Sequence, residues 1–106
     1  MLLNELLKNI EVLEISGNVD IDIRGVTYDS RKSLPGYLFI CIDGFATDGH
    51  HFAQQAVDNG ATALVVEKDI SIVGEAVIIK VPDTREALAS LSAQWFGNPS
   101  NNMKLI

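Results

Sequence analysis

The sequence predicts an α/β domain of three layers, a mixed or largely parallel sheet flanked by helices. Two observations carry this. Short, almost wholly apolar runs of strand length, "YLFICI", "TALVVEK" and "EAVIIKV", read as strands covered on both faces. Amphipathic segments, "HHFAQQAVDNG" and "DTREALASLSAQWFG", alternate with them, so that from residue 37 onward the order is strand, loop, helix, strand, strand, helix. A length of 106 residues fits one domain with a real core.

The elements follow in chain order. "LLNELLKNI" sets Leu2, Leu3, Leu6, Leu7 and Ile10 at helical spacing, and "EVLEIS" reads as a short strand before a Gly17-Asn18 turn. "VDIDIRGVTYDS" alternates Val19, Ile21 and Ile23 against Asp20, Asp22 and Arg24, the pattern of a half-exposed strand with a bulge or break at Gly25. Leu34-Pro35-Gly36 is a tight-turn signal, since Pro presets φ and Gly accepts a positive one. In the helix after "YLFICI", Phe52, Ala53, Ala56 and Val57 share a face and Asn59-Gly60 is the stop. In the last helix Asp83 is the N-cap with Glu86 three residues on, and Ala87, Leu88, Leu91, Trp95 and Phe96 form the apolar face. The chain closes on the apolar pair Leu105-Ile106, which reads as the start of a strand and gives the expectation that a further domain follows.

Charge and composition narrow the function. The formal charge is −6 and the basic residues are scattered, which argues against nucleic acid as a partner. No apolar run approaches a membrane span and the N-terminal segment lacks a signal-peptide core, so a cytoplasmic address and no membrane partner are expected. Cys41 is the only cysteine and lies in an apolar run, where its thiol is expected to be buried and unreactive.

The densest polar chemistry is "DGFATDGHHF", residues 43–52. Adjacent histidines rarely share one ion, and neither an HExxH nor a cysteine-rich spacing is present, so no metal site and no catalytic cluster are expected. Asp48 suits the N-cap of the next helix and Gly49 its tight approach. Two loops remain, "TYDSRK" and "GFATDGHH". The second is a strand, glycine loop and helix start in succession, a general anion-binding arrangement, and Ser30 in the first adds a hydroxyl donor. Neither a dinucleotide fingerprint nor a Walker loop occurs.

The run "YDSRKSLPGYLFICIDGFATDGHHFAQQAVDNGATALVVEK" and the stretch "VPDTREALASLSAQWFGNPSNNMKLI" resemble the N-terminal domain of the Mur ligases, in the branch called MurE, over nearly the whole chain. The match is specific in "DSR", in the Pro-Gly and Leu-Phe of "PGYLF", and in the loop from Gly44 to Phe52; Ser33, Tyr37 and Cys41 depart from the family's usual residues. The resemblance implies an ATP-dependent, amide-bond-forming ligase that adds the third amino acid, meso-diaminopimelate or L-lysine, to a peptidoglycan precursor. It implies that residues 1–106 are the domain holding the UDP portion of UDP-MurNAc-L-Ala-D-Glu, inactive alone. ATP and Mg would belong to central and C-terminal domains beyond Ile106, with no cofactor in this segment. Tyr28 would line the nucleotide, Ser30 would meet the diphosphate, and Phe45, Ala46 and Thr47 would contact the UDP portion largely through backbone. The alternatives are the sibling MurF branch, a stand-alone nucleotide-binding module, and a small metal-dependent hydrolase.

Overall fold

The structure, a computed structural model, describes residues 1–42 and 49–97. Its elements are α1 (Leu3–Leu6, continued by a 3-10 turn Leu7–Asn9), β1 (Glu14–Ser16), β2 (Gly25–Thr27), a 3-10 turn Ser30–Lys32, β3 (Tyr37–Ile40), a 3-10 turn Gly49–Phe52, α2 (Ala53–Asp58), β4 (Ala63–Val66), β5 (Val77–Lys80) and α3 (Thr84–Gly97). The sheet runs β1-β5-β4-β3-β2. Strands β2 to β5 are parallel, and β1 closes one edge antiparallel to β5.

The apolar runs divide by parity, as a doubly covered sheet requires. Leu38, Ile40, Ala63, Val65, Val77 and Ile79 pack on one face against Leu3 and Leu6 of α1 and Ala87 and Leu91 of α3. Phe39, Cys41, Leu64 and Val66 pack on the other against Ala53 and Ala56 of α2. The three-layer α/β expectation therefore holds, and Cys41 is a buried thiol as expected.

Two helix ends were readable. Asp83 Oδ1 accepts from Arg85 N at 2.9 Å and Glu86 N at 3.3 Å, the N-cap that the sequence predicts. At the end of α2, Gly60 N donates to Val57 O and Ala61 N to Ala56 O, both at 2.9 Å, a Schellman stop with Gly60 at φ +111°. The Leu34-Pro35-Gly36 turn forms as well, with Tyr37 N donating to Leu34 O at 3.0 Å and Gly36 at φ +87°.

Four readings are corrected. Residues 19–24 alternate but are not a strand of the sheet. Leu3 N donates to Ile21 O, Asn4 N to Val19 O and Ile23 N to Met1 O, so this segment binds the start of α1 instead. The strand begins at Gly25, where a break was expected, because Gly25 pairs with Tyr37 and a Cβ there would lie 2.4 Å from the Tyr37 ring. Phe52 is 38% exposed, since it ends a 3-10 turn and the α-helical period does not apply to it. Phe96, one position beyond half-buried Trp95, is 48% exposed and off the packed face of α3.

Candidate ligand cleft

Strand β2 ends at Thr27 and β3 at Ile40, and the segments that leave these two adjacent carboxyl ends build a cleft of about 650 Å³. In open α/β sheets ligands bind outside the carboxyl ends of the strands. After β2 the chain turns at once. Asp29 N donates to Thr27 Oγ1, and Asp29 Oδ1 accepts from Arg31 N at 3.0 Å, capping the 3-10 turn. The same carboxylate takes Arg31 Nε at 3.1 Å and Nη2 at 3.0 Å, a bidentate pair. The hydrogen bonds from Arg31 hold the Asp29 carboxyl below its ordinary range, and Asp29 in turn raises Arg31.

Tyr28, 64% exposed, and Ser30, 7% exposed, both line the cleft, so the structure brings these two sequence-predicted residues to one wall. Ser30 Oγ donates to Gln55 Oε1 at 3.0 Å, and Asn59 Nδ2 donates to Ser30 O at 3.0 Å. Ser33 Oγ, buried, donates to Ala56 O. The turn after β2 is thus stitched to α2. Phe39, Ile42, Gly49 and Phe52 also line the cleft.

Ile42 and Gly49 both line the cleft, and Gly49 N donates to Ile42 O at 2.7 Å. A Cβ on Gly49 would lie 2.6 Å from Ile42 N, which is why glycine stands there. Phe45, Ala46 and Thr47, and the expected cap Asp48, lie outside the described residues.

The histidines do not cluster for a metal. His50 Nε2 accepts from Glu67 N at 3.1 Å, tying the turn before α2 to the end of β4, while His51 is exposed. Glu67 Oε1 accepts from Thr84 Oγ1 at 2.6 Å and Thr84 N at 2.9 Å, and these bonds, the hydroxyl first, hold its carboxyl below the ordinary value against burial and the nearby Asp83 charge. Among the described residues no group of three or more His, Cys, Asp or Glu is placed to hold a metal ion. Among them, too, no helix is long and apolar enough to cross a membrane.

Sequence reasoning missed Phe52 and Gln55 as cleft residues. The sequence places Phe52 on one helical face with Ala53, Ala56 and Val57. The signal for Gln55 was its place three residues after Phe52, on the first turn of a helix whose small residues face the core.

Comparison with known proteins decides the family. The model described as "Mur ligase family, catalytic domain" matches residues 22–96. The chain belongs to the Mur ligase family. That match runs from just before β2 to the last turn of α3 and so contains the whole cleft. Over its full length this Mur ligase chain is 45% identical to the UDP-N-acetylmuramoyl-L-alanyl-D-glutamate–2,6-diaminopimelate ligase of Syntrophomonas wolfei, and 48% identical to the ligase of that name from Clostridium botulinum. It spans 22% of the length of each. Among solved structures it resembles MurF from Acinetobacter baumannii, at a TM-score of 0.61 and 35% identity, covering 71% of this chain and 16% of that one. MurF from Thermotoga maritima in complex with ADP is similar at a TM-score of 0.60 and 29% identity, covering 71% and 17%.

Proposed function

We propose that this chain is the N-terminal, UDP-substrate-binding domain of an ATP-dependent amide-bond-forming ligase of the MurE branch, acting on UDP-MurNAc-L-Ala-D-Glu in the cytoplasm. The observation that carries the reading is the cleft at the carboxyl ends of β2 and β3. It gathers Tyr28, Ser30, Ile42 and Gly49, in a chain 45–48% identical to ligases named for that substrate. The MurF branch is the weaker reading, because its resemblance covers 71% of the chain at 29–35% identity.

The diaminopimelate in the relatives' names makes it the third amino acid in this reading. ATP, Mg and the amine substrate belong to central and C-terminal domains of the longer protein, in keeping with the 22% of relatives' length spanned here. The contribution of this domain is positional. Exposed Tyr28 and Phe52 offer ring surface to the base, and the polar wall at Ser30 meets the diphosphate. Phe45, Ala46 and Thr47 contact the UDP portion through backbone in the same reading. Binding energy on the nucleotide then orients a reacting carboxylate far from it.

Calorimetric titration of UDP and of ADP into the chain tests this. Saturable one-to-one binding of UDP with at least tenfold discrimination against ADP, about 1.4 kcal/mol, is expected. Equal affinity for the two would point to a general nucleotide module instead.

A further inference from the structure

The 3-10 turn Gly49–Phe52 gives the cleft two of its lining residues, Gly49 and Phe52, and His50 lies between them. Nε2 of this half-buried ring accepts from Glu67 N at 3.1 Å, just past the carboxyl end of β4. The Glu67 carboxylate in turn takes the amide and the hydroxyl of Thr84 on Oε1, at 2.9 and 2.6 Å. Glu67 thus joins the cleft turn to the start of α3, through its backbone on one side and its side chain on the other.

A main-chain N–H can only donate, so the bond needs the Nε2 lone pair and puts the neutral ring's proton on Nδ1. An imidazolium carries N–H on both nitrogens and keeps no lone pair. Protonated, His50 would set a donor against a donor at the Glu67 amide. The charged side chains that meet it from neighbouring described elements are acidic: the Glu67 carboxylate and, facing Glu67 from the start of α3, Asp83. Lys68 and Arg85, next along those two segments, are exposed, as is His51 on the turn itself. A positive His50 is therefore drawn off the main-chain amide toward the Glu67 carboxylate. Histidine is the side chain whose charge ordinarily changes between about pH 5 and 8.

We propose that His50 is a proton-sensitive latch: neutral, it pins the turn Gly49–Phe52 to the end of β4, and protonated, it releases that turn and loosens the cleft at Gly49 and Phe52. The latch is a property of the chain itself. Only its effect on UDP affinity rests on the UDP reading above.

NMR of the isotope-labelled chain, taken from about pH 7.5 to about pH 5, tests this. At the upper end the His50 ring nitrogens should report the Nδ1–H tautomer. On acidification the amide signals of Gly49, Phe52 and Glu67 should move with one midpoint, that of the His50 ring. The Glu67 amide should lose about tenfold in hydrogen-exchange protection, the worth of one hydrogen bond. His50→Gln sets a carbonyl oxygen that does not titrate within reach of the same amide and should abolish the transition, whereas His51→Gln should leave it intact. Thermal melts verify that both variants fold. UDP affinity should fall about fivefold or more over the same range in wild type, the low end of coupling between two linked binding events, and stay level in His50→Gln. A His50 ring that titrates while the Glu67 amide keeps its protection overturns the proposal, as does a transition that survives in His50→Gln. A chain that binds no UDP at either pH overturns the UDP reading alone, because the amide signals decide the latch without a ligand.

Discussion

Thr84 brings its amide and its hydroxyl to one carboxylate oxygen of Glu67 while itself 0% exposed, so the first turn of α3 is anchored to the end of β4 by charge-assisted bonds. Thr84→Val keeps the shape and removes the 2.6 Å bond, and should destabilise by about 1–2 kcal/mol in urea unfolding. The bond also predicts a pH dependence. Because the folded Glu67 carboxyl is lowered, its contribution is fully present above its ordinary value of 4.5 and is lost as the pH falls through the lowered folded value. The stability gap between wild type and Glu67→Gln should therefore be widest above pH 4.5 and close on acidification. Gly60 shows the opposite kind of constraint. Its φ is +111° and an added Cβ would lie 2.6 Å from Pro35 Cα, so Gly60→Ala should cost about 2–4 kcal/mol by the same measurement.

Elements were legible where one local signal decided them. Asp83 three residues before Glu86, and Gly60 after an apolar helical face, fixed two helix ends that the hydrogen bonds reproduce. The segment 19–24 was not legible as it folds. Its alternation correctly sends Ile23 inward, but period two does not say which backbone receives its hydrogen bonds, and here that is α1 rather than a strand. The same limit hid Phe52, because a 3-10 turn replaces the first helical turn. At this scale α3 depends on its buried contact. Leu91 is 0% exposed beneath the sheet face that also holds Leu38 and Val65, and Leu91→Ala should cost about 2–5 kcal/mol. The β4–β5 connection depends on Gln54 instead. Its side chain donates to Val73 O at 2.9 Å and accepts from Val73 N at 2.7 Å, pinning a segment whose Val73 is 83% exposed.

For the whole molecule, the parity of three apolar runs was enough to read a doubly covered sheet, since every second residue had somewhere apolar to go. The cleft was half legible. Tyr28 and Ser30 came from a motif, whereas Gln55 became visible only when α2 was packed beside the turn after β2. The formal charge of −6 has its own consequence. An anion held by neutral donors in an acidic chain gains nothing from the global field, so raising salt from about 0.05 to 0.5 M should leave UDP affinity unchanged or strengthen it. A site built on clustered cations would weaken. The most direct test of the account is the amide NMR spectrum of the isotope-labelled chain titrated with UDP. Shifts concentrated at Tyr28–Arg31, Gly49–Phe52 and Gln55, reaching saturation and reduced in Ser30→Ala, are the predicted result. Shifts centred elsewhere, such as the groove between Asn9 and Asp83, or no shifts at millimolar UDP, would contradict it.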